Sequence, residues 1–317
     1  MVLSFFRRTS LTGCLLFAML PAMFLFAASY AQAKSALDIS LYTLENKRLS
    51  LKDVAKGKPI YLKLWATWCK DCIAQMPHFE QTYRNVGQDI EVIAVNVGLN
   101  DSNSDIKDLM RRQSLTMPVL VDKHGELAQE LDLLGTPLHI LIDAQGRIVH
   151  KGYAADADID QKISILSSGS LAAIPSPDKE TTIPPLFSES AHDVSVVLFT
   201  ATWCDWYLED TRPKMANNCR SSAEFLEQAY KSKELTKVNW LLLASRLWTG
   251  QSDLDEFVAK YHLKIPAQID QSNLRFFDHQ IRDFPVLIVF RSGEELGRIH
   301  DFADKNVALR KLKGLVN

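Results

Sequence analysis

Apolar and polar positions along the chain alternate between two kinds of run. Short, nearly continuous apolar blocks at 59–66, 91–97, 119–121 and 138–143 read as buried strands set off by Gly, Pro or Asp. Between them, 104–113 carries apolar residues at helical spacing, 125–134 reads as helical, and a helix starts at Cys69 and runs past Met76. Gly146 marks a hairpin turn with a return strand at 147–153, and a helix over 158–166 closes the unit. Residues 167–190 break the rhythm with Ser167, Ser168, Gly169, Pro175, Pro177, Pro184 and Pro185, the composition of an interdomain linker. Strand blocks resume at 194–200 and 238–244, with an amphipathic helix over 253–261. The alternation predicts α/β units in both halves.

The second half repeats the first. Ala-Thr-Trp-Cys occurs at Ala66–Cys69 and again at Ala201–Cys204. Leu115-Thr116-Met117-Pro118 matches Leu263-Lys264-Ile265-Pro266, and a further proline follows 19 residues later in each copy, at Pro137 and Pro285. The cysteines are 135 residues apart and the first prolines 148, so the second copy carries 13 extra residues, placed mostly over 213–222 and including Cys219. A repeat of this length is a duplicated domain. The resulting division is a targeting segment at 1–33, a first domain at 34–166, the linker at 167–190 and a second domain at 191–317.

Composition adds little to this and excludes several classes. The chain has 317 residues, 47% hydrophobic and 23% charged, enough for two cores of ordinary size. A net charge of −2 leaves no electrostatic footprint for nucleic acid, and neither a P-loop nor a dinucleotide glycine fingerprint is present. Arg7 and Arg8, the apolar run at 15–28 and Ala31-Gln32-Ala33 fit a signal peptide cleaved before Lys34; an uncleaved membrane anchor is the alternative. Either places the rest of the chain in an exported compartment such as the periplasm, where its cysteines meet oxidising conditions.

The candidate chemistry is at Cys69-Lys70-Asp71-Cys72. Two cysteines three apart at a helix start share a face and lie within disulfide reach. The first sits where free backbone N–H groups favour a thiolate, so Cys69 is the expected attacker and Cys72 the resolver. Zinc would need two more ligands, and no second Cys-x-x-Cys or His pair supplies them, so neither a metal nor another cofactor is expected.

The segment Leu64-Trp65-Ala66-Thr67-Trp68-Cys69, the Met76-Pro77 pair and Gly135-Thr136-Pro137 before a strand together resemble the thioredoxin superfamily. Within it they are most similar to the exported TlpA/ResA-like thiol–disulfide reductases, over residues 37–166. The resemblance implies two tandem thioredoxin-like α/β domains, each a central mixed sheet flanked by helices, the second degenerate. It also implies a cis-Pro137 beside the dithiol, with Trp68, Thr136 and Pro137 binding an extended client segment. Three positions depart from the family pattern. Lys-Asp separates the cysteines, Gln75 stands where relatives carry an acid, and Lys63 replaces the buried aspartate of thioredoxins proper, removing the usual proton acceptor.

In the second copy Tyr207 stands where the resolving cysteine would be, and Asp283-Phe284-Pro285 keeps the proline position. In a continuous helix Cys204 and Cys219 would be about 22 Å apart, so a bridge between them requires the intervening chain to fold back. A structural staple and a redox-active pair are both open for this second disulfide. The leading functional expectation is an exported thiol–disulfide oxidoreductase that reduces disulfides of client proteins and is recharged by a membrane-bound thiol reductant. The competing reading is a copper(I)-delivery or client-binding module, since soft thiolates suit Cu(I). A third has the second domain recognising partners while the first does the chemistry.

Overall fold

In the computed structural model two mixed sheets are built on one strand order, and residues 35–175, 183, 186 and 192–317 are described. The proposed signal segment and most of the linker lie outside the described residues. The first sheet holds β1 (Ser40–Thr43), β2 (Arg48–Ser50), β3 (Ile60–Trp65), β4 (Glu91–Asn96), β5 (Val119–Val121), β6 (Leu138–Ile142) and β7 (Ile148–Gly152). Its helices are α1 (Leu51–Ala55), α2 (Lys70–Ala74), α3 (Met76–Val86), α4 (Asn103–Arg112), α5 (Glu126–Glu130) and α6 (Ala157–Ser168). The second sheet holds β8 (Val194–Thr200), β9 (Asn239–Ser245), β10 (Ala267–Asp270), β11 (Val286–Arg291) and β12 (Glu294–Ile299). Its helices are α7 (Cys204–Tyr207), α8 (Pro213–Tyr230), α9 (Gln251–Lys260), α10 (Leu274–Asp278) and α11 (Lys305–Val316).

The order β5-β4-β3-β6-β7 in one sheet matches β10-β9-β8-β11-β12 in the other. In each, the first three strands run parallel, the fourth runs antiparallel to them, and the last runs antiparallel to the fourth. The first sheet alone adds the β1–β2 hairpin, paired to β5 through β1. Central strands β3 and β8 read as apolar runs because helices cover both faces; all six residues of β3 are buried. Ser50 with Asp53 and Ser102 with Asp105 form capping boxes that start α1 and α4.

Three sequence expectations are corrected. The helix from Cys69 past Met76 is two helices, because the chain resets at Gln75 before Pro77 opens α3. The helix expected over 125–134 is only α5, ending at a capped turn by Leu131. Ser167 and Ser168 belong to α6 rather than to the linker, their hydroxyls bonding back to the Ser164 carbonyl while Leu166 is buried. The 213–222 segment assigned to the insertion forms the first turns of α8, with Pro213 at its start.

The described residues form one compact unit. The first sheet's apolar cluster runs on into Ala201, Trp203, Cys204, Leu208, Cys219 and Phe284 of the second half. The two motif-bearing ends therefore face each other.

A covered dithiol between two pseudo-equivalent faces

Cys69 is the N-cap of α2 and Cys72 lies in its first turn; the two form a disulfide with α-carbons 5.2 Å apart. The Cys72 N–H donates to Cys69 Sγ at 3.1 Å, the contact that would stabilise a thiolate after reduction. The Thr136–Pro137 bond is cis, and the Thr136 carbonyl oxygen lies 3.4 Å from Cys69 Sγ. Trp68, Cys69, Cys72, Thr136 and Pro137 thus meet at one end of the sheet.

Beneath the dithiol lies a buried polar group of unusual kind. Lys63, in the middle of β3, is fully buried, and burial pulls its pKa down to about 7. Its Nζ donates to the Cys72 carbonyl at 3.4 Å and to Gln75 Oε1 at 3.5 Å, and lies 5.6 Å from the Phe79 ring centroid. Gln75 Oε1 also accepts from His139 Nε2 at 2.8 Å, which leaves Nδ1 to accept from the Tyr61 hydroxyl at 2.8 Å. Burial first, then the Lys63 charge, lowers the His139 pKa to about 3, so the imidazole is neutral. Of these residues the sequence singled out Lys63 and Gln75 but not His139 or Tyr61; a histidine inside an apolar strand was the available signal.

The surface expected to receive a client is not open. Cys69 is 2% exposed and Thr136 1%. What covers them is the corresponding face of the second half. Trp68 and Trp203, the paired motif tryptophans, stack with centroids 5.0 Å apart. Trp68 Nε1 donates to the Leu99 carbonyl at 2.7 Å, and Trp203 Nε1 donates to the Leu247 carbonyl at 2.6 Å. Backbone hydrogen bonds cross reciprocally: Trp248 N–H to the Leu134 carbonyl at 2.9 Å, and Asn100 N–H to the Arg282 carbonyl at 2.8 Å. Asn100 and Trp248, like Leu134 and Arg282, are separated by the 148 residues of the repeat. The contact is therefore an isologous interface within one chain, each proline loop bonded to the loop after the other half's second strand.

Side chains lock it. Arg282 donates to the Val97 carbonyl and, at 3.0 Å, to the Asp122 carbonyl. It packs over Gly98 and Gly125, both at positive φ, where an added Cβ would meet the guanidinium or the Asp122 carbonyl. Trp248 lies so close to Gly135 that a Cβ there would fall 2.7 Å from its ring. Arg212 pairs with buried Asp101 at 3.2 Å and Asp105 at 2.9 Å. Burial holds the Asp101 carboxyl above the usual range despite its bonds from Thr67 and Asn96. Tyr207, in place of a resolving cysteine, accepts the Lys70 N–H at 2.9 Å, and Lys70 Nζ pairs with Asp210 at 2.7 Å. Trp206 points away and is 59% exposed.

In the second half Cys204 and Cys219 are disulfide-bonded, with α-carbons 6.0 Å apart and both residues fully buried. The turn at 208–212 reverses the chain between α7 and α8 and removes the separation of a continuous helix. Phe284–Pro285 is also cis. Among the described residues there is no cluster of His, Cys, Asp or Glu fit to hold a metal ion.

A mixed sheet with a helix-capping dithiol opposite a cis-proline loop defines a thioredoxin-like redox protein. The AhpC/TSA family model matches residues 33–151. The thioredoxin-like protein YneN of Bacillus subtilis is 32% identical over 137 residues, covering 42% of this chain and 79% of its own. The thiol–disulfide oxidoreductase ResA of Bacillus thuringiensis subsp. konkukian is 31% identical over 119 residues, covering 37% and 67%. Among solved structures, the exposed lipoprotein thioredoxin Etrx1 of Streptococcus pneumoniae is 29% identical and covers 40% of this chain and 98% of its own, at a TM-score of 0.36. The chain belongs to the thioredoxin-like thiol–disulfide oxidoreductases.

Proposed function

We propose that the protein is an exported reductase of client disulfides, acting through Cys69 and Cys72. The supporting observation is the placement of Cys69 Sγ at a helix N-cap, bonded by the Cys72 amide and lying against the Thr136 carbonyl. In the reduced protein the Cys69 thiolate attacks a client disulfide, forming a mixed disulfide and releasing one client thiol. Cys72 then attacks Cys69 Sγ, the internal disulfide forms, and the second client thiol leaves. A membrane-bound thiol reductant returns the two electrons. Trp68, Thr136 and Pro137 bind the client backbone on this reading, and the second half must first lift from them.

Export rests on the N-terminal targeting pattern. Among the described residues no helix is long and apolar enough to cross a membrane. The test is insulin-disulfide reduction by the full-length protein and by Cys69→Ser: activity should vanish in the variant, and its survival would overturn the assignment.

A further inference from the structure

A resolving thiol that is fully buried cannot hand its proton to bulk water, so the second step needs a base inside the protein. The surroundings of Cys72 narrow the choice. Asp71 is exposed. His139 has its Nε2 proton committed to Gln75 and its Nδ1 lone pair committed to Tyr61. Lys63 differs from both. In its neutral form an amine has two N–H donors and one lone pair; here the donors have two oxygens, of Cys72 and Gln75. Its lone pair has no such use.

We propose that the Lys63 amine is the proton acceptor for Cys72, placed under the first turn of α2 where the family's carboxylate is absent. This rests on the reading of Cys69 and Cys72 as attacker and resolver. As Cys72 attacks the mixed disulfide, its S–H proton passes to Lys63 Nζ. The Cys69–Cys72 bond forms and the Cys69–client bond breaks. The client leaves as a thiolate with the electron pair, and the lysyl ammonium returns the proton to it, directly or through water. No further reductant is needed in this step.

The charge that Lys63 gains has few neighbours to oppose it. On α2 it faces Cys72 and Gln75, and on α3 the Phe79 ring. On β3 and β6 it faces Tyr61 and neutral His139; His78 of α3 and His150 of β7 act on that imidazole from farther out. Among the described residues no carboxylate pairs with Nζ, and burial alone lowers its pKa. The amine is therefore half neutral near pH 7 and available above it.

The test is a single-turnover reaction of the reduced full-length protein with dithiobis(nitrobenzoate). The first release of thionitrobenzoate reports attack by Cys69, and the second reports attack by Cys72 on the mixed disulfide. In the wild type the second phase should rise through an inflection near pH 7. Lys63→Met should slow that phase about 100-fold at pH 8 and remove the inflection, leaving the first phase within about twofold. Lys63→Glu should bring back a fast second phase with an inflection of its own. An unchanged second phase in Lys63→Met, or an equal fall in both phases, would overturn the proposal. No release from the wild type would instead overturn the reading of the dithiol.

Discussion

The two Ala-Thr-Trp-Cys segments each lead from the end of the equivalent strand into a helix, in sheets that share one five-strand order, and they differ in where the second sulfur comes from. In the first, it is three residues on, within the same helical turn. In the second, it is 15 residues on, across a reversal into α8, and the vacated position holds Tyr207, whose hydroxyl accepts the Lys70 N–H beside the first dithiol. A short-range pair at a helix N-terminus can open and close with little change to the fold. A pair that ties α7 to α8 closes a loop and fixes the orientation of α7. One scaffold thus presents sulfur for exchange at one end, and at the other presents a shaped surface that meets it.

The comparison can be broken most strongly at Arg282. Arg282→Ala removes the guanidinium donor from the Val97 carbonyl and leaves the Asp122 carbonyl only its bond from the Gly125 N–H, and should lower stability by about 3–5 kcal/mol in denaturant titration. It should also speed alkylation of reduced Cys69 at least tenfold. Equal alkylation rates in variant and wild type would mean that the two faces already separate freely in solution. The next effect belongs to the second disulfide. Replacing Cys204 and Cys219 together by serine should cost about 3 kcal/mol, from a 15-residue loop, while insulin reduction at elevated enzyme concentration persists. Lost reductase activity in a still-folded variant would make that pair redox-active.

Lys63 provides a pH-dependent comparison. Its folded pKa of about 7 lies below the unfolded value near 10.4, so the unfolded chain binds more protons between these limits. Its contribution to stability therefore rises with pH across that window, by about 2–3 kcal/mol from pH 7 to pH 9. Lys63→Met should remove this slope, and parallel stability curves for the two proteins would show the amine is charged when folded. The smallest effect is at Tyr207. Tyr207→Phe leaves the Lys70 amide unpaired and should cost about 1 kcal/mol, seen as a lower melting temperature with a modest rise in Cys69 alkylation.

Much of this architecture was legible in the chain. The apolar blocks at 119–121 and 194–200 became strands with the same bounds, because buried strands carry a continuous signal that needs no partner to be read. The β1–β2 hairpin was missed, since strands of four and three residues leave too little pattern. The repeat arithmetic located Cys219, but its meeting with Cys204 depends on the reversal at 208–212. Least legible was the cover. Asn100, Arg212, Trp248 and Arg282 are unremarkable as letters, and their partners lie more than 100 residues away. Likewise the sequence shows Lys63 in place of an acid, while only the packed sheet shows the two oxygens, of Cys72 and Gln75, at its amine.

The reciprocal hydrogen bonds between the proline loops join parts of a single polypeptide, and this changes how the contact responds to its surroundings. Two separate proteins meeting through this face would part on dilution. A tethered pair re-forms by a first-order step, at an effective concentration in the millimolar range for a short connection. Protein abundance then has no say in how often Cys69 is free. On the proposed function, that frequency is set by the contact itself and by how well a client, at its own concentration, competes for the same loop.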